Sequence, residues 1–80
     1  MNTKEAIANR ILQLCEEHDI TVNALADISG VSSSTVYSIL NEKSQNPGTV
    51  TIKKLCDGLE ITLGEFFNTP EFDALEQEIQ

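Results

Sequence analysis

The stretch LADISGVSSSTVYSIL, Leu25 to Leu40, constrains what this chain can fold into more than any other. Leu25, Ala26 and Ile28 give it a short apolar edge that runs into Gly30. Beyond Val31 come four hydroxyl residues, Ser32, Ser33, Ser34 and Thr35. A second edge follows at Val36, Ile39 and Leu40, spaced i, i+3, i+4 as one face of a helix requires. Gly30 can end the first helix because a left-handed backbone carries no side-chain penalty at glycine. Ser32 can begin the second, because its hydroxyl accepts from a first-turn amide that has no partner within the helix. Two helices this short are marginal alone. The rest of the chain must therefore supply the core that holds the pair.

The flanking sequence reads as that support. Asn2 with Glu5 three residues later resembles a capping box and opens a helix to about His18. Ile7, Ile11 and Leu14 form one apolar row, and Ala8, Leu12 and Cys15 a second beside it. A broad buried face is expected, with Glu5, Asn9, Gln13, Glu16 and Glu17 in water. Asp19-Ile20 links to Thr21, the cap of a second helix over Val22 to Ser29. Leu25 and Ile28 point inward there, and Ala26 is small enough to admit another helix. The third helix spans residues 33–41, with Ser33, Ser34, Tyr37, Ser38 and Asn41 outward. Residues 42–48, EKSQNPG, are the most loop-like segment.

Thr49 starts a fourth helix that buries Ile52, Leu55, Cys56 and Leu59 and exposes Lys53, Lys54 and Asp57. Thr62 with Glu65 is a second capping box, opening a short fifth helix that ends at Phe66-Phe67. Thr69-Pro70 puts proline at a first helical position and starts a tail with an apolar stripe of Phe72, Leu75 and Ile79. No segment alternates with period two. The expected fold is all-α, with five compact helices over residues 1–68 and an acidic helical tail over residues 69–80.

Eighty residues make one domain near the lower limit for an independent core, where only about 60% of the chain's surface is buried on folding. No run approaches the ~20 apolar residues of a membrane span and no signal-peptide pattern opens the chain, so a cytoplasmic location is expected. Cys15 and Cys56 then read as reduced, buried hydrophobes rather than a disulfide. The one histidine, His18, stands between Glu17 and Asp19 at a helix end. No Cys–His pair has ligand spacing and no glycine-rich loop precedes a helix. No enzyme activity, metal, cofactor or small-molecule ligand is implied.

Net charge is −8, which opposes nucleic-acid binding, since that affinity comes largely from neutralised phosphates. The distribution changes the argument. Glu71, Asp73, Glu76 and Glu78 lie in a tail without a basic residue. Glu5, Glu16, Glu17 and Asp19 load the first helix and its exit, against Lys4 and Arg10. Between Val31 and Leu55 the balance reverses, with Lys43, Lys53 and Lys54 against Glu42. Two helices joined by a glycine-containing turn form a helix-turn-helix, whose second helix can enter a DNA major groove.

The whole order resembles the phage-repressor (Cro-type) helix-turn-helix family of bacterial transcriptional regulators, from roughly Ile7 to Phe67. The resemblance rests on Thr21, Leu25-Ala26, Gly30-Val31-Ser32, Val36, Ile39-Leu40, Asn46-Pro47, Thr51-Ile52, Leu55, and Leu59 through Ile61-Thr62 to Glu65-Phe66-Phe67. It implies a double-stranded DNA-binding regulator, a repressor in type, with residues 33–41 as recognition helix. Ser33, Ser34, Tyr37 and Ser38 would face base edges, where hydroxyls can donate or accept. Thr35, Asn41, Lys43, Ser44, Asn46 and Thr49 would face phosphates. For the serines the alternative role is capping and solvation, and for Tyr37 half-buried packing.

Three departures from the family pattern matter. Val22 stands where the family often has glutamine, so that residue's backbone or base-neighbour contact is lost. The recognition helix has no Arg, Lys or Gln, so the bidentate arginine–guanine contact is missing from it. Glu60 occupies the family's usual glycine after the fourth helix.

A homodimer is expected, presenting two recognition helices ~34 Å apart, with Phe67, Phe72, Leu75 and Ile79 as dimerisation candidates. Equally, Phe72 can fold back onto its own core. A second functional reading, a helix-turn-helix domain serving as an adaptor or antirepressor through protein contacts, follows from the −8 charge and the cation-free recognition helix.

Overall fold

Four helices begin in this chain where a side-chain oxygen replaces the missing intrahelical acceptor. Asn2 Oδ1 accepts from Glu5 N–H at 2.8 Å, Thr21 Oγ1 from Ala24 N–H at 3.0 Å, and Ser32 Oγ from Thr35 N–H at 3.2 Å. Thr62 Oγ1 accepts from Glu65 N–H at 3.0 Å while Thr62 N–H donates to Glu65 Oε1 at 3.2 Å, which closes a capping box. The computed structural model describes residues 1–41 and 46–79. Its helices are α1 (Thr3–Glu17), α2 (Val22–Ser29), α3 (Ser33–Leu40), α4 (Thr49–Leu59), α5 (Leu63–Phe67) and α6 (Pro70–Asp73). No strand occurs among the described residues.

Helix ends follow one rule, used three times. After α1, Ile20 N–H reaches back to Cys15 O at 3.0 Å and Asp19 N–H to Glu16 O at 3.1 Å. After α2, Val31 N–H bonds Ala26 O at 3.0 Å and Gly30 N–H bonds Asp27 O at 3.3 Å. After α4, Ile61 N–H bonds Cys56 O at 3.0 Å and Glu60 N–H bonds Asp57 O at 3.1 Å. Each is a Schellman motif, with a left-handed residue at the turn: Asp19 at φ 52°, Gly30 at φ 67° and Glu60 at φ 59°. The next residue, Ile20, Val31 or Ile61, packs against the core, and the one after it, Thr21, Ser32 or Thr62, caps the next helix. One left-handed residue, one branched apolar residue and one hydroxyl thus turn the chain at three of its corners. Of the three left-handed positions only Gly30 holds the residue that adopts this conformation freely.

The core joins Ile7, Ile11, Leu14 and Cys15 of α1 to Leu25 and Ala26 of α2, Val36 and Ile39 of α3, the four apolar residues of α4, and Phe66. Two residues expected inside are outside. Leu12 is 48% exposed and Ile28 56%. At about 100° per residue, the buried arc of α1 runs from Ala6 to Cys15, and Leu12 projects about 60° beyond its edge. The arc of α2 is formed by Val22, Leu25, Ala26 and Ser29, and Ile28 again falls about 60° outside. Arg10, by contrast, lies within the α1 arc and is half-buried. Its guanidinium donates to Phe66 O at 2.7 Å, Glu65 O at 2.8 Å and Gln13 Oε1 at 2.8 Å, capping the end of α5.

α2 packs most extensively on α4, and Gly58 allows it. A Cβ there would collide with Ser29 Oγ and lie 3.1 Å from Ser29 Cβ and 3.2 Å from its Cα. The tail is less helical than its pattern suggests. α6 is a single turn, so the Phe72, Leu75, Ile79 stripe never forms on a helix; Ile79 is 85% exposed. Phe67 and Phe72 instead pack against the core, with ring centroids 4.9 Å apart and Phe66 4.8 Å from Phe67. Phe72 is thus partly buried against its own chain.

Candidate nucleic-acid interface

The turn at Gly30-Val31 sets where α3 points. Val31 is anchored through its amide to Ala26 O, and Ser32 caps α3. Val36 and Ile39 are buried, so the remaining face of α3 must look outward, and Ser33, Ser34, Thr35, Tyr37 and Ser38 are all exposed. Tyr37 is 49% exposed, so about half of it lies on the outward surface and half is covered. The four base-facing candidates therefore share one surface. Thr35 is partly committed elsewhere, since its hydroxyl lies 2.8 Å from Ser32 Oγ and its amide donates to the same oxygen.

α3 stops one residue earlier than expected. Asn41 is its C-cap, in extended conformation, and is exposed. Lys4 of α1 donates from its ammonium to the Asn41 carbonyl oxygen, placing a cation at the carbonyl end of the helix, where the macrodipole favours it. Sequence reasoning left Lys4 without a role. The signal lies only in the tertiary packing of α1 on α3. Asn46 is exposed in the approach to α4, and Thr49 is the first residue of that helix, also exposed. Gly48 precedes it and offers no side-chain cap. Lys43 and Ser44 lie outside the described residues.

Beside the first turn of α3, a shallow groove is lined by Asn23, Asp27, Ser32 and Ser33 among others. Asn23 and Asp27 are i, i+4 neighbours on the outer side of α2 and were not singled out by sequence. Val22 is half-buried against the core, so the position where glutamine is usual in the family has become a packing position. Lys53 forms an i, i+4 ion pair with Asp57. No group of metal-ligating side chains occurs among the described residues, and none of their helices is long and apolar enough to cross a membrane.

Two short helices joined through a left-handed glycine, the second with a buried apolar edge and an open polar one, define a helix-turn-helix domain. The profile of the Cro/C1-type HTH DNA-binding domain matches residues 10–71, and the chain belongs to that family. Two Bacillus subtilis (strain 168) proteins are similar to it. The HTH-type transcriptional repressor RghR is 42% identical over 57 residues, covering 71% of this chain and 42% of RghR. The HTH-type transcriptional regulator RghRB is 40% identical over 52 residues, covering 65% of this chain and 37% of RghRB. This chain thus spans about two fifths of the length of these relatives. The crystal structure of the prophage Lp1 protein 11 superposes with a TM-score of 0.83 at 29% identity, covering 94% of this chain and all of that one.

Proposed function

We propose that this protein is a sequence-selective transcriptional regulator, a repressor in type, that lays α3 in the major groove of double-stranded DNA. The observation that carries the reading is the shared outward surface of Ser33, Ser34, Tyr37 and Ser38 immediately after the Gly30 turn. Hydroxyls can donate to or accept from base edges, and the tyrosine ring can touch thymine methyls. Asn41, Asn46 and Thr49, with Thr35, Lys43 and Ser44, would hold phosphates on either side. The repressor in the name of RghR supports the direction of regulation.

A homodimer completes the proposal, because two half-sites double a contact set that is poor in charge. If each protomer neutralises about three phosphates, the dimer's log–log salt slope is about −5. The test is a fluorescence anisotropy titration on duplexes selected from a randomised pool. Salt-dependent binding weakened by a combined Ser33→Ala and Asn41→Ala change, with melting nearly unchanged, supports the reading. Absence of binding at low salt refutes it. The net charge of −8 favours the second reading, a protein-interaction module, and that absence is its expected result.

A further inference from the structure

We propose, building on the DNA-binding reading, that the acidic tail after α6 is an intramolecular competitor of the DNA backbone, docked where duplex phosphates would approach. The packing of Phe72 beside Phe67 and of α6 on α1 turns the chain back along the first helix. The tail then runs to the start of α1, where Thr3 Oγ1 donates to Glu78 Oε2 at 2.6 Å. Glu78 lines one cleft of about 550 Å³ with Thr3, Lys4, Asn46 and Pro47. Lys4, next to Thr3, holds the carbonyl of Asn41 at the end of the recognition helix. The Glu78 carboxylate therefore sits at the corner where the end of α3, the start of α1 and the Asn46-Pro47 segment meet. Two of the proposed phosphate-facing residues, Asn41 and Asn46, belong to that corner.

Three features make this contact suited to displacement rather than to permanent structure. The helix ends at Asp73 and Leu75 N–H bonds Phe72 O at 3.3 Å, but among the described residues no backbone ladder holds residues 76–79 in place. Ile79 is open to solvent, so no apolar anchor secures the end. Residues 71–78 carry four carboxylates and no cation, so the tail offers the kind of charge that a phosphate strand offers. A duplex approaching the corner must expel Glu78 or suffer its repulsion, which reaches about 10 Å at 0.1 M salt.

The experiment compares the full chain with the double variant E76Q/E78Q, using a fluorescein-labelled duplex of roughly 20–30 base pairs recovered from a randomised pool. A second pair, E16Q/E17Q, makes the same change in net charge on the far end of α1. The expected result is about 3–10-fold tighter binding for E76Q/E78Q near 50 mM salt, shrinking toward parity above about 0.5 M as screening shortens. E16Q/E17Q should gain clearly less. Thr3→Val, which removes the docking hydrogen bond but no charge, should give an intermediate gain. Equal affinity for E76Q/E78Q and the parent, or equal gains for both charge pairs, overturns the proposal while leaving DNA binding in place. Failure of every variant to bind any recovered duplex refutes the DNA-binding reading itself. All four glutamates are exposed, so unchanged melting is expected and serves as the folding control.

Discussion

Glu60 closes α4 in the left-handed region, at φ 59° and ψ 40°, and replacing it tests the turn chemistry directly. A left-handed backbone costs an L-residue roughly 1–2 kcal/mol that glycine does not incur. Glycine gives back about 0.4–1 kcal/mol through its freedom in the unfolded chain. The Glu60 carboxylate also sits just past the C-terminus of α4, exposed, where the helix carries partial negative charge; removing it gains about 0.3 kcal/mol, screened by salt. Glu60→Gly should therefore stabilise the domain by about 1 kcal/mol. For 80 residues, unfolding entropy near 2.1 cal/mol/K per residue converts that to about 6 °C.

Thermal melts by circular dichroism on Glu60→Gly and Glu60→Gln separate the two contributions. Glutamine keeps the Cβ and loses the charge, so it should gain about 2 °C at low salt and nothing at 0.5 M. Glycine should keep most of its gain at high salt. If Glu60→Gly is no more stable than Glu60→Gln, or if its gain disappears with salt, the backbone at this corner is not strained and the reasoning fails.

Three further outcomes follow from the packing. Gly58→Ala should destabilise by about 2–3 kcal/mol in urea unfolding, because Ser29 cannot withdraw its backbone. Ser29→Ala alone should be nearly neutral, since it removes a buried hydroxyl with no partner among the described residues, and the double variant should lose less than the sum; strict additivity would contradict the contact. Arg10→Met should cost about 2 kcal/mol by uncapping the Glu65 and Phe66 carbonyls, with DNA affinity unchanged well below the melting temperature. Burial raises the pKa of both thiols, and the Asp57 carboxylate adds to the effect at Cys56. The folded form then keeps these protons above the usual thiol value of about 8.5, where the unfolded chain releases them. That stability is complete below the unfolded value and is lost as pH rises through the folded one. A drop in unfolding free energy between pH 7.5 and 10 should be smaller in a Cys15→Ala, Cys56→Ala variant, and an equal drop would refute the assignment.

Local rules made most of the helix starts legible. Asn2, Thr21, Ser32 and Thr62 each cap through their own side chain within three residues, so a linear reading finds them. Gly30 was equally readable, because only its conformation mattered and nothing crowds its missing Cβ. Asp19 was not, because no feature of aspartate announces a left-handed residue; only the repeat of its turn at Gly30 and Glu60 does. Leu12 and Ile28 show the limit of periodicity. Spacing fixes which residues share a face, but the width of the buried arc depends on how closely α4 and α5 approach. The roles of Lys4 and Arg10 were hidden for the same reason. Each cation bonds a carbonyl 37 or 56 residues away, and no linear pattern encodes which helix end will arrive there.

Those two contacts change how the proposed interface must work. Four basic residues lie among the described residues, and the fold itself uses three of them. Arg10 holds the end of α5, Lys4 holds the end of α3, and Lys53 pairs with Asp57. Lys54 is left exposed without such a bond among the described residues. The outward face of α3 adds only neutral hydroxyls, whose hydrogen bonds are about half as strong as charge-assisted ones. In the proposed homodimer, two copies engaging successive grooves double the few phosphate contacts that one protomer can offer. Binding should then keep the dimer's log–log salt slope of about −5 and be steep in protein concentration, with half-saturation following the dimerisation constant. A titration that is hyperbolic far below that constant would remove the need for a second copy and return the explanation to contacts made by one α3.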